Sequence, residues 1–195
     1  MTTTTDAEIA LLPEALTAAV SDALSNRGLQ CLLPQPVCTP ARIAPRVLIV
    51  GVMPPAQQAE RFLDTDEARW WDVVERTLAS AFEQLQCVNR MAENGGGRVV
   101  LIANDAGVCG DAGRSIESAL GGAAIAMTKS LAREFSPSGV SVNAAAVQTD
   151  LLYGLHAEGY GIKVAQLVAF LADLELEHLT GQIVACNNST IRARI

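Results

Sequence analysis

Apolar residues along this chain fall into two rhythms, short unbroken runs and longer stretches at helical spacing, and the two alternate. Arg98–Ala103 (RVVLIA) is a short β-branched run, the pattern of a strand buried on both faces. Asn104–Gly113 is a loop rich in Gly and Asp. Ser115–Phe135 contains no proline and repeats Leu120, Ala124, Met127, Leu131 and Phe135 at helical spacing, with Pro137 and Gly139 marking its end. Val140–Val147 is a second buried run. Strand, loop, helix and strand in that order predict the βαβ unit of a parallel sheet.

The alternation extends to both sides. Residues 1–7 read as a tail and Glu8–Leu12 as a first strand. Glu14–Asn26 follows with Leu16, Ala19, Val20, Ala23 and Leu24 at helical spacing, and Gly28 is a natural stop. Leu29–Leu33 is a second strand, and the prolines of 34–45 predict an extended linker. Arg46–Val52 is another buried strand. Asp64–Ala92 is expected to be one long helix, opened by Asp66 and Glu67, whose charge suits the helix dipole. Its apolar residues spread so widely that it must pack on more than its own sheet. Asp150–Gly161 is a Gly-bearing connection holding His156, which reads as a loop histidine. Ile162–Leu171 is a further helix, and a last strand follows Gln182. No repeat or second domain is visible, so 1–195 is taken as one domain.

Composition narrows the function classes. Half of the residues are hydrophobic and only 18% are charged, which argues for a packed core and for apolar surface that a subunit interface would cover. A net charge of −7 makes nucleic acid and anionic membrane poor partners. Cys31, Cys38, Cys87, Cys109 and Cys186 are scattered with no C-x-x-C pair, so neither a zinc site nor a disulfide framework is expected, and reduced, buried thiols are. No signal peptide or membrane-length apolar run is seen, and the cytoplasm is the expected location.

Several motifs carry a resemblance. MTKSLAREFSPSGVSVNAAA, beginning at Met127 without a gap, is similar to the helix-to-strand passage of short-chain dehydrogenases/reductases. DEARWWDVVERTLASAFEQLQ resembles another helix of that family, and Leu179–Val184 resembles its "ITGQxI". The resemblance implies a truncated Rossmann-like α/β three-layer sandwich with about six mostly parallel strands. Measured against that pattern, a helix–strand–helix segment is missing where residues 34–45 lie. The Gly-rich turn that lets a cofactor pyrophosphate approach a helix N-terminus is replaced by Leu12–Ala18, which has no glycine and carries Glu14. The family's "NNAG" is replaced by Val50, Gly51, Val52 and Met53, and the "DGG" near its end by Asn187, Asn188 and Ser189.

Family chemistry needs a Tyr to pass the substrate proton, a Lys one turn on to lower its pKa and hold the nicotinamide ribose, a Ser on the substrate oxygen and an Asn in the proton relay. The resemblance puts those roles at Glu117, Gly121, Asn104 and Thr77, so all four are vacant. It also implies docking surfaces on the two long helices, with Trp70, Val74, Leu78, Phe82, Gly121, Gly122, Ala124 and Leu131 as candidates. The small residues from Gly121 to Ala124 suit either a close partner helix or tight packing on the chain's own sheet.

These readings imply a pseudoenzyme. The chain would bind no cofactor and no metal, and would join an active paralogue of the same family that carries NAD(H), as a heterotetramer of the hydroxyacyl-CoA dehydrogenase type. The dehydrogenase of anaerobic toluene (benzylsuccinate) β-oxidation is the analogy to test first. Two alternatives stay open: a divergent active oxidoreductase using Glu117 and Asn104, and a stand-alone ligand-binding protein using the residual cleft.

Overall fold

In the computed structural model, which describes residues 6–32, 44–56, 58–153, 157–176 and 178–186, six parallel strands form one sheet in the order β2-β1-β3-β4-β5-β6. They are β1 (Asp6–Ala10), β2 (Gln30–Leu32), β3 (Val47–Val52), β4 (Gly97–Asn104), β5 (Val140–Val147) and β6 (Ile183–Cys186). The expected six-stranded α/β sandwich is the fold observed. Every residue of β3, β4 and β5 is buried, as the unbroken apolar runs require.

Alternation along the strands divides the core into two layers. Val47, Ile49, Val100 and Ile102 face one side, with α1 (Glu14–Ser25) and α7 (Ala157–Leu171). Leu48, Val50, Val99 and Leu101 face the other, with α2 (Glu67–Leu85), α3 (Val88–Glu93) and α5 (Ser115–Phe135). The boundaries of α5 and β5 coincide with those expected, because Pro137 and Gly139, at φ 76°, leave the chain no other place to turn.

Four expectations need correction. The tail of 1–7 is too long, since Asp6 and Ala7 already pair with Gln30, Cys31 and Val47 in the sheet. The first strand then stops at Ala10 rather than Leu12, because Leu11 adopts φ 60° and cannot extend the ladder. The single helix over 64–92 is two. Asp66 caps α2 by accepting from the Arg69 N–H at 2.8 Å, and a break at Gln86 and Cys87 restarts the chain as α3. Neither Pro nor Gly marks that break. Buried Cys87 is disulfide-bonded, against the expectation of reduced thiols throughout, whereas Cys31, Cys109 and Cys186 are free. Two expected connections also hold helix: Asn104–Gly113 contains α4 (Ala106–Cys109), and the connection expected over 150–161 contains most of α6 (Thr149–Tyr153) and the start of α7, which begins at Ala157 rather than Ile162. The linker of 34–45 (except Ala44 and Pro45), His156 and Asn187–Ser189 lie outside the described residues.

The C-terminal edge of the sheet is docked by side chains. Asn143 donates to the Leu179 carbonyl at 2.8 Å and accepts from the Gln182 N–H at 3.0 Å. Thr180 accepts from the Val142 N–H at 3.1 Å, and the Gly181 N–H reaches the Val142 carbonyl at 2.7 Å. These bonds hold the 179–182 strip against β5 so that β6 enters in register. Buried Arg98, on β4, donates to the Leu174 carbonyl at 2.7 Å and to the Asp173 carbonyl at 3.2 Å, fixing the chain beyond α7.

Candidate functional site

The carboxyl ends of β1, β3, β4 and β5 meet the residues singled out by sequence, but the structure does not bring them into one site. Thr77, on α2, lines a cavity of about 680 Å³ between the ends of β1 and β3. Asn104, at the end of β4, lines a separate hollow of about 110 Å³ with Asp105, Asp111, Arg114, Gln148 and Asp150. Glu117 and Gly121 are buried in α5 and line neither.

Each of the four is occupied with local structure. Thr77 donates its hydroxyl to the Val73 carbonyl one turn back, at 2.8 Å. Asn104 accepts from the Ala106 N–H at 2.7 Å, which fixes the entry to α4. Glu117 is paired with Arg114 at 3.0 Å, and the other terminal nitrogen of Arg114 lies 3.0 Å from Asp150. One guanidinium thus neutralises a buried carboxylate and tethers the segment beyond β5. Arg114 is the residue sequence reasoning missed here. Its spacing of one turn from Glu117 was the available signal.

Gly121 is the most informative of the four. A Cβ placed on it would lie 2.9 Å from the Cα and the N of Gly107 and would run into the Asn104 carbonyl oxygen. The reciprocal Cβ on Gly107 would lie 2.6 Å from the Gly121 Cα. Two glycines therefore let the backbone of α4 rest directly on the backbone of α5. The volume a lysine side chain would need at residue 121 is filled by main chain.

The β1–α1 turn is closed in a similar way. Leu11 sits in the left-handed region, and its carbonyl lies where a side chain at Gly51 would be, with Leu12 Cδ2 at 2.8 Å from that position. Pro13, which has no N–H, precedes α1, and Glu14 puts a carboxylate in its first turn. A pyrophosphate at a helix N-terminus needs free amides and room for backbone approach. The residues at this turn do not fit such a group.

Deeper in, Tyr160 on α7 braces the ends of β5 and β6. Its hydroxyl donates to the Cys186 carbonyl and accepts from the Gln148 N–H at 2.8 Å. Burial pushes its phenol far above the ordinary tyrosine range, and burial likewise raises the Cys186 thiol. Among the described residues no cluster of His, Cys, Asp and Glu could hold a metal ion, and no helix is long and apolar enough to cross a membrane.

The docking candidates divide by exposure. Val74, Gly121 and Ala124 are buried in this chain's own core, which for Gly121 and Ala124 is the packing on the chain's own sheet that small residues also suit. Trp70 donates its indole N–H to the Ser115 hydroxyl at 3.0 Å and so links α2 to α5 inside the chain. Leu78 and Leu131 are half-buried. Phe82 is 61% exposed, and Trp71, missed from sequence, is 58% exposed. Gly122 opens outward, with nothing within 4 Å of a Cβ placed on it.

Comparison with known proteins gives a consistent picture. The family model described as "Enoyl-(Acyl carrier protein) reductase" matches residues 41–159. The chain is 32% identical over 139 residues to a 3-oxoacyl-[acyl-carrier-protein] reductase FabG of Vibrio cholerae, covering 62% of this chain and 57% of that protein. It is 38% identical over 101 residues to Nodulation protein G of Azospirillum brasilense, covering 50% of this chain and 41% of that one. The chain thus spans 57% and 41% of the lengths of these two curated relatives. Acetoin dehydrogenase from Enterobacter cloacae superposes with a TM-score of 0.77 at 21% identity, covering 96% of this chain and 95% of that structure, a likeness of fold.

Proposed function

This chain belongs to the short-chain dehydrogenase/reductase family, and from that membership we propose that it is a non-catalytic subunit that assembles with and stabilises an active member of the same family. The observation that carries the proposal is the contact of Gly107 with Gly121. Main chain stands where the family's lysine would reach toward a nicotinamide ribose, so no side chain at that position can orient a cofactor. Glu117, one turn earlier, is held in an ion pair by Arg114. The same pairing weighs against the alternative of a divergent oxidoreductase working through Glu117 and Asn104, since the Asn104 side chain is committed to α4.

An assembly role is supported by what lies outside. Trp71, Leu78 and Phe82 fall along one stripe of α2, and Trp71 and Phe82 carry large exposed apolar area. On this proposal NAD(H) belongs to the active partner, whose substrate would be of the hydroxyacyl-thioester kind. The test is co-expression with an active dehydrogenase of the family encoded nearby. A stable mixed oligomer by light scattering, with the partner losing activity or solubility when expressed alone, is the expected result. Turnover of NAD(P)H by this chain alone would overturn the proposal. So would a partner fully active on its own that never co-purifies.

A further inference from the structure

The sheet reverses its direction of growth between β1 and β3. From β1 the chain steps outward to β2, then returns to the opposite flank of β1 as β3. In open parallel sheets the crevice at such a reversal, outside the carboxyl ends of the strands, is where ligands sit. Here it opens into the cavity of about 680 Å³, within the ~300–1,000 Å³ typical of small-molecule sites.

The lining selects the ligand. Leu11, Pro13, Met53, Pro54 and Val73 supply mainly apolar surface from three separate segments. The charged pair in the lining, Asp72 and Arg76, is matched within itself at 2.6 Å, one turn apart on α2. An anionic ligand would therefore meet a guanidinium already paired and a proline without an N–H. Among the described lining residues, the side-chain polar groups left for a ligand are the hydroxyls of Thr77 and Ser80, also on α2. Thr77 spends its proton on the Val73 carbonyl, so toward the cavity it can only accept. We infer that this cavity binds an uncharged, largely apolar small molecule with one hydrogen-bonding end, in the crevice where a dinucleotide does not fit. The inference does not rest on the assembly role, and the two fail separately: co-purification tests one and ligand titration of the isolated chain tests the other.

The experiment titrates the full chain with Nile red and then competes with 1-decanol, decanoate and NADH. Fluorescence should saturate at one equivalent of dye. Decanol should displace it, decanoate should do so ~10-fold less well or worse, and NADH not at all. Ser80→Trp and Ala56→Trp crowd the cavity from the helix and from the loop after β3. Each should weaken dye binding ~10-fold or more at unchanged circular dichroism and melting temperature. If one variant fails to fold, the other decides. Displacement by NADH as effective as by decanol would overturn the inference, as would decanoate matching decanol. Full dye binding in a folded variant, pointing to the exposed Trp71 and Phe82 face instead, would also overturn it.

Discussion

Gly121→Ala and Gly122→Ala are adjacent substitutions on one helix that should act with opposite signs. In a helix interior either change gains about 1 kcal/mol of intrinsic propensity, because alanine loses less backbone freedom on folding than glycine. At Gly122 nothing lies within 4 Å of the added carbon, so the gain survives. At Gly121 the added carbon meets the Cα and N of Gly107 at 2.9 Å and the Asn104 carbonyl. These are backbone atoms of a packed element and cannot step aside as a flexible side chain would. Overpacking of this kind costs about 1–3 kcal/mol, and backbone obstacles put it at or above the top of that range. The net for Gly121→Ala is a loss of about 2 kcal/mol. For a domain of this size that is a fall of roughly 4–8 °C in melting temperature, against a rise of roughly 2–4 °C for Gly122→Ala. Urea unfolding followed by circular dichroism, read at constant m, gives the two values. Gly107→Ala should resemble Gly121→Ala, and the double variant should lose less than the sum, since both strain one contact. If Gly121→Ala is as stable as the parent, the α4 backbone does not rest on α5. The space for a family lysine would then be open, and the main support for a non-catalytic role would be lost.

Restoring the family residues as Glu117→Tyr with Gly121→Lys should yield a less stable protein with no NAD(P)H-dependent reductase activity, checked spectrophotometrically with a 3-oxoacyl thioester. Arg114→Ala strands the buried Glu117 carboxylate and should cost about 3 kcal/mol in urea unfolding, more than Glu117→Gln, which leaves Arg114 paired with Asp150. Asn143→Ala removes the bonds to Leu179 and Gln182 and should cost about 2 kcal/mol, with hydrogen exchange rising first over Ile183–Cys186. Stability should also fall at alkaline pH. Cys186 and Tyr160 both have folded pKa values raised by burial, so their contribution is intact below the ordinary values of 9.0 and 10.0. Above them the unfolded chain releases protons that the fold retains, and stability declines as pH rises. In Tyr160→Phe the decline should be shallower above pH 10.0, from a starting stability lower by about 1–3 kcal/mol for the stranded Gln148 N–H.

Much of the fold was legible because the buried strands carry unbroken apolar runs. Val47–Val52, Gly97–Asn104 and Val140–Val147 are each buried at every position, and the larger polar residues that interrupt them, Arg98, Asn104 and Asn143, each form bonds there. Asn143 is such a case. It breaks the apolar run of β5 yet satisfies both ends of its amide on the 179–182 strip. What escaped was set by contacts distant in sequence. Nothing local in DAEIALL says that its ladder starts at Asp6, since that pairing is made by Gln30 on one side and continued by Val47–Val50 on the other. The break between α2 and α3 has no glycine or proline, and its buried Cys87 gives no spacing signal for a bond elsewhere. The site was legible as a set of substitutions but not as a geometry. The family resemblance implies a lysine where Gly121 stands, whereas only the structure shows that place closed by Gly107.

That closure bears on how the scaffold would outlast the chemistry under the proposed non-catalytic role. The motifs retained from the family are those whose side chains hold the sheet together, such as Asn143 and the Thr180–Gln182 strip with its four bonds to β5 and Asn143. They cannot be lost without stranding buried backbone groups, at about 1–3 kcal/mol each. Tyr and Lys at residues 117 and 121 would carry no such load, because a catalytic side chain faces a cavity and contributes little to packing. Once such residues are gone the cavity itself becomes the cost, at about 24 cal/mol for each Å³ left empty, and a main chain able to collapse into it recovers that energy. Glycine at both 107 and 121 is what allows the collapse, and Arg114 removes the remaining penalty by neutralising Glu117. The crevice between β1 and β3 has not closed in the same way. It still holds about 680 Å³ against an apolar wall, the room that the inferred apolar ligand needs.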